Sequence, residues 1–288
     1  MEKRRDDRNN RNPRFGDKQN NRGKGGYAPR GERKPVTPRE ETEIGNGAVI
    51  GRNAVRELFR SGRAVDKLLV QSGEREGALI PLVGEAIAKG IPVVETERRK
   101  MDAISGHAPH QGIIALAAEK EYCSVDDILA IAAERGEKPL VVIADGIADP
   151  YNLGAVIRCA EGCGAHGLII PKRHAAGLSP VVTKASAGAI EHLAIAKVTN
   201  VAATIDELKE KGLWIYTAEA GGADFRETDM AGAVAIVLGS EGDGVSELVR
   251  KKSDFVVSIP MYGKVNSFNV STAAAVLLCE AARQQRKA

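Results

Sequence analysis

Three short runs combine glycines with polar side chains in patterns suited to holding and acting on a ligand. The run NLGAVIR at 152–158 follows an apolar stretch and enters a helical pattern, so it leaves the carboxyl end of a strand, where α/β proteins hold ligands. Asn152 is placed to cap that helix, and Arg158, nearly two turns in, is placed to reach back to the strand end. A capped helix with one surface arginine would show the same spacing. The run LGSEG at 238–242 sets Glu241 among Gly239, Gly242 and Gly244, which permit positive φ and close approach of backbone to a ligand. Its plain alternative is a glycine-rich connection with an exposed acid. The run IPMYGKVNSFNVS at 259–271 gathers Ser267, Asn269 and Ser271 at a helix start, more acceptors than one cap requires, with Phe268 between them. Backbone donors beside an apolar wall suit an adenine-bearing ligand.

Other candidates read as structural. The GxGxxG match at 162–167 lies between a helix and the strand after it, the reverse of a dinucleotide-binding turn, so its glycines are expected to end the helix. Cys159, Cys163 and His166 lack the second short pair that a structural zinc site uses, so buried reduced thiols and no metal are expected. His107 and His110 flank a proline in a turn, and His192 lies near a helix end; both are weak as metal or catalytic sites. Lys172, Arg173 and His174 follow a strand and suit either a phosphate contact or a solvated turn. No Ser-His-Asp order or HExxH motif supports a hydrolase.

The elements that must position these residues fall into two patterns. From 48 to about 120, helical spacing at 53–60 and 78–89, a short helix at 98–104, and strands at 65–70, 92–95 and 112–118 predict a small α/β domain, 47–120. A linker helix is expected at 125–135 within a connecting segment, 121–138. Beyond it, continuous apolar runs at 140–144, 167–170, 193–198, 214–218, 234–238 and 255–259 alternate with helical stretches. That is the signature of a parallel sheet covered on both faces, a doubly wound α/β domain over 139–288 ending in a helix at 270–285.

Residues 1–46 are nearly free of aliphatic side chains, and such a segment is expected to be disordered. Residues 1–39 hold 13 Lys or Arg against 5 Asp or Glu, whereas the remainder holds 28 basic and 33 acidic residues. The basic charge is therefore concentrated in a tail suited to RNA contact. Four cysteines without an export signal argue against a disulfide framework, and no apolar run is long enough to cross a membrane, so a cytoplasmic location is expected.

Taken together and in order, the three runs resemble the motifs of the SpoU (TrmH) class of SPOUT methyltransferases. The front domain, through IGRNAV at 50–55 and HQGIIA at 110–115, resembles the ribosomal-protein-like substrate domain of bacterial large-subunit rRNA guanosine 2′-O-methyltransferases. The resemblance implies a trefoil knot in the C-terminal domain, a homodimer with its site near the subunit contact, and S-adenosylmethionine as the methyl donor. It places Leu238, Gly239, Gly242, Ile259, Met261 and Phe268 against that cofactor, Phe268 standing where the family usually has Leu. It places Asn152, Arg158, Glu241, Ser267 and Asn269 at the functional positions.

The implied reaction is in-line attack of a ribose 2′-oxygen on the sulfonium methyl group, which requires alignment and no metal. Because a guanidinium resists deprotonation, Arg158 is expected to hold phosphate and steady developing negative charge, with Glu241 orienting Arg158 or its neighbours. The expected substrate is a guanosine of 23S rRNA. The competing readings are a tRNA methyltransferase of the same class, a non-catalytic RNA-binding protein on this fold, and another nucleotide-binding enzyme using the same crevice.

Overall fold

In a computed structural model of the protein, residues 47–73 and 77–286 are described; the expected disordered tail at 1–46 lies outside them. The front domain is a four-stranded mixed sheet. β1 (Ala48–Ile50) and β4 (Ile113–Ala117) run antiparallel, as do β4 and β2 (Val65–Gln71), while β3 (Val93–Thr96) runs parallel to β2, giving the order β1-β4-β2-β3. Helices α1 (Arg52–Ser61) and α2 (Ile80–Ala88) bury Val55, Leu58, Leu82 and Ala86 on one face, and α3 (Arg98–Ile104) buries Met101 and Ile104 on the other. β1 is the element whose three apolar residues were too few to announce a strand.

His110 of this domain is structural. It is buried; its Nδ1 accepts from the Gly112 amide at 3.0 Å and its Nε2 faces Asp102 Oδ1 at 3.2 Å.

The second domain contains all six expected strands: β5 (Leu140–Asp145), β6 (Gly167–Pro171), β7 (Ala194–Val198), β8 (Trp214–Asp224), β9 (Val234–Gly239) and β10 (Phe255–Ser258). They form one parallel sheet in the order β10-β8-β9-β5-β6-β7. Alternate residues of the central strands feed two apolar clusters, one on each face, so Val142 and Val141 of β5 point into different cores. This is the doubly wound arrangement that continuous apolar strands require.

Helices α5 (Pro150–Gly162), α6 (Pro180–Ala185) and α9 (Val270–Gln285) lie on one side, and α7 (Val201–Glu210) and α8 (Glu247–Lys252) on the other. Helix α4 (Val125–Arg135) is nucleated by a capping box in which Ser124 and Asp127 satisfy each other's backbone amides. It packs Ile128 into the second of these cores, with Cys123 bridged to Ala196 beside β7.

The glycines at 162–167 end α5 and turn the chain into β6, as expected, with Gly164 at φ 79°. His166 is turned away from the thiols. Its Nδ1 accepts from the Leu140 amide at 3.0 Å and its Nε2 donates to Glu137 Oε2 at 2.9 Å. Cys163 instead meets Cys279 across α5 and α9, Sγ to Sγ at 3.1 Å, and burial with this neighbour pushes the Cys163 thiol up to about 12.

Candidate active site

Every element of the site enters from the carboxyl edge of the sheet. Pro150 starts α5 with its φ already helical, and the Asp149 carboxylate ahead of it accepts from the Tyr151 amide at 3.1 Å. Asp149 is therefore the cap, and the expectation that Asn152 caps this helix is corrected. Asn152 lies in the first turn, buried, and faces the neighbouring loops.

Beyond β9 the chain makes a tight reversal in which Ser240 and Gly244 exchange both backbone hydrogen bonds. A Cβ on Gly239 would lie 2.1 Å from the Gly244 carbonyl carbon, so glycine is required here for the loop to close on itself. Asp145, at the end of β5, fixes the far side of this loop by accepting from the Ser246 amide at 2.8 Å. Beyond β10 the chain crosses the sheet edge and starts α9, where Asn269 Oδ1 accepts from the Ser271 amide at 2.9 Å.

Three motifs meet in one triangle of side chains. Asn152 Nδ2 donates to Glu241 Oε1 at 2.6 Å, Asn269 Nδ2 donates to the same oxygen at 2.7 Å, and Asn269 Nδ2 also reaches Asn152 Oδ1 at 3.0 Å. Glu241 Oε2 takes no partner among the described residues. The expected orienting partner of Glu241 was Arg158 or its neighbours; the partners found are the two asparagines.

Two cavities adjoin the triangle. The first, of about 460 Å³, is lined by Leu238, Gly239, Glu241, Gly242, Ile259, Met261 and residues 266–270, together with Ala218, Glu219 and Ala220 of β8. All six residues expected to touch a cofactor line it, and so do Glu241, Ser267 and Asn269. The second, of about 660 Å³, lies across the 240–244 loop and is lined by Asp145, Asp149, Asn152, His174, Glu241 and Asp243 among others. Glu241 belongs to both.

Arg158 lines neither cavity. It sits about 13.5 Å along α5 from the Asp149 cap by helical rise, too far down to return to the strand end. Its side chain is exposed and makes no hydrogen bond or ion pair among the described residues.

The β8 contribution was missed because GGAD at 221–224 is polar and breaks the apolar run. The strand continues through Gly221, at φ 81°, and a Cβ on Gly222 would lie 2.5 Å from the Val256 carbonyl oxygen. A paired glycine after a strand was the available signal. Asp145, Asp149 and Asp243 lie just outside the 152–158 and 238–242 runs and were assigned no roles.

This geometry agrees with what the chain is similar to. A model described as the SpoU rRNA methylase family matches residues 139–279, and one described as RNA 2′-O ribose methyltransferase substrate binding matches residues 48–123. YacO of Bacillus subtilis, assigned to the TrmH family of tRNA/rRNA methyltransferases, is 43% identical over 239 residues, covering 82% of this chain and 95% of its own. The chain belongs to the SpoU (TrmH) family of RNA 2′-O-methyltransferases.

A protein of Staphylococcus aureus assigned to the TrmH family of tRNA/rRNA methyltransferases is 42% identical over 238 residues, 82% of this chain and 96% of its own. Among solved structures, the SpoU methyltransferase AviRb from Streptomyces viridochromogenes, in complex with AdoMet, superposes with a TM-score of 0.69 at 25% identity, covering 84% of this chain and 91% of that one. An RNA 2′-O ribose methyltransferase superposes at 0.67 and 26% identity, covering 83% and 88%.

As a SpoU enzyme the chain uses S-adenosylmethionine. The first cavity fits that molecule. Its volume is in the range of small-ligand sites, and the apolar surfaces of Leu238, Ile259 and Phe268 suit a nucleoside base while Ser267, Asn269 and Glu241 suit polar groups. Among the described residues no group of three or more His, Cys, Asp or Glu side chains converges as metal ligands, and no helix is long and apolar enough to cross a membrane.

Proposed function

We propose that the chain methylates the ribose 2′-hydroxyl of a guanosine in 23S rRNA, with the first cavity holding S-adenosylmethionine and the second receiving the acceptor nucleotide. The observation that carries this reading is Glu241, the one side chain of the triangle that lines both cavities.

S-adenosylmethionine supplies a methyl group made electrophilic by the attached sulfonium. The chain supplies position and polarity. Glu241 Oε1, pinned by Asn152 and Asn269, leaves Oε2 as an acceptor for the entering hydroxyl, and reach within a hydrogen bond is what such a role demands. The triangle costs little to reorganise because all three side chains are already hydrogen-bonded in place. Ser267 and Phe268 close the cofactor side of the wall.

Arg158, exposed and unpaired on α5, serves as the cation for developing negative charge at the site of a second subunit; the homodimer and the trefoil knot are part of this reading. So are a cytoplasmic location, a role in rRNA processing, and an organisation of basic tail (1–46), RNA-recognition domain (47–120), linker helix (121–138) and methyltransferase domain (139–288).

The rRNA target is favoured by the front domain, whose match to a substrate-binding family spans 48–123. Mapping of ribose methylation in rRNA and tRNA from cells with and without the gene tests this. A 2′-O-methylguanosine lost from 23S rRNA is the expected result; an unchanged rRNA map with a changed tRNA map would replace the substrate.

A further inference from the structure

The second cavity poses an electrostatic problem. Asp145, Asp149, Glu241 and Asp243 all line it, yet on the proposed reading it must admit a nucleotide carried on a polyanionic strand. Like charges at such spacing repel, and outside the first 39 residues acidic side chains outnumber basic ones. Phosphates must therefore stay outside the cavity and be neutralised at its rim.

The 172–178 turn supplies that rim. His174, held at φ 57°, lines the cavity, and Lys172 and Arg173 immediately before it are exposed. The turn is tied down at three points: the Lys172 amide donates to the Val198 carbonyl at 2.8 Å, the Ala176 amide to the Ile147 carbonyl at 2.9 Å, and the Leu178 amide to Tyr122 Oη at 3.1 Å.

The pairing of cations across this domain is uneven. Lys209, Lys211, Arg226, Arg250, Lys252 and Arg283 each face a carboxylate. The side chains of Lys172 and Arg173 make no hydrogen bond or ion pair among the described residues. Two unpaired cations on a backbone fixed by its own hydrogen bonds, beside a cavity that repels phosphate, are suited to hold phosphates of a strand passing its mouth.

We propose that Lys172 and Arg173 bind backbone phosphates of the substrate RNA flanking the acceptor nucleotide, and so steer that nucleotide into the second cavity. The inference rests on the proposed assignment of this cavity to the acceptor. The two are positioning residues, and they act on RNA binding rather than on the transfer step.

The test measures RNA affinity of the full chain against salt, using 23S rRNA and tRNA pools purified from cells lacking the gene. Wild type, the Lys172→Ala/Arg173→Ala double variant and Lys211→Ala, whose cation already faces Asp126, are compared. Each lost phosphate contact removes roughly 0.7 to 0.9 from the slope of log affinity against log salt. The double variant is expected to lose about 1.5 from that slope and at least ~10-fold in affinity at physiological salt, with thermal midpoint and S-adenosylmethionine affinity unchanged.

Lys211→Ala is expected to keep the wild-type slope. In methyl transfer the double variant should raise KM for RNA and leave kcat within about twofold. An unchanged slope, an equal change in Lys211→Ala, or a fall in kcat at constant KM would overturn the proposal. If wild type transfers methyl to neither pool, the functional reading fails, and the binding slopes still decide whether these two residues hold phosphate.

Discussion

At the residue scale, one carboxylate oxygen holds two helix starts together. Glu241 Oε1 accepts from Asn152 on α5 and from Asn269 ahead of α9, while Asn269 Oδ1 also caps α9. Asn269→Asp separates these duties. It keeps an oxygen for the cap but removes the donor and sets a second carboxylate against Glu241. Like charges in contact raise their shared proton affinity, so the variant should lose on the order of 10²-fold in kcat at alkaline pH and recover part of it as pH falls and one proton bridges the pair. A kcat profile parallel to wild type would contradict this.

Arg158→Lys keeps charge but not the planar fork, and kcat should fall by on the order of 10²-fold in single-turnover assays; near wild-type turnover would dismiss the fork. The Asp149 cap was readable in advance from an acid followed by proline at 149–150. Asn152 looked like the cap because its real partners lie 89 and 117 residues away, outside any local pattern.

At the scale of elements, the six strands of the parallel sheet followed from the apolar runs because strands buried on both faces leave little choice of composition; their order in the sheet did not. Helices α3, α4 and α9 start and end where their periodicity and caps place them. What escaped was set by packing: β1, too short to show a period, and the outer half of β8, where glycines admit a neighbouring backbone.

The two domains meet through charge. Glu191, beside a short 3-10 turn Ala189–Glu191, faces Arg63 Nη2 at 3.1 Å, and His192 Nε2 faces Glu57 Oε2 of α1 at 2.9 Å. Arg63 Nε and Glu191 Oε1 have no hydrogen-bond partner, so the first contact is an ion pair without good hydrogen-bond alignment. Burial pushes the Glu191 carboxyl up, against the pull of Arg63 and Lys120.

A raised folded pKa means the neutral acid suits the fold. The stability this group contributes is full below the ordinary carboxylate range and is lost as pH rises through the raised value. Arg63→Ala removes the main compensating cation. It should cost roughly 3 kcal/mol at pH 7, and less as pH falls and Glu191 protonates, in urea unfolding followed at several pH values. A cost independent of pH would contradict the ion pair.

At the scale of the whole molecule, three loops at one edge of a parallel sheet border two cavities, which we propose hold the cofactor and the acceptor. Nothing local in the sequence joins these loops; their joint meaning came from resemblance to one family, and the triangle is the physical form of that joint meaning. The most direct test supplies the purified full chain with S-adenosylmethionine carrying a heavy methyl group and with 23S rRNA from cells lacking the gene, then digests the RNA to nucleosides for mass spectrometry. The account predicts one heavy 2′-O-methylated nucleoside, guanosine, with the label on ribose. Label on a base, or no transfer to RNA by a chain that binds S-adenosylmethionine, would contradict it.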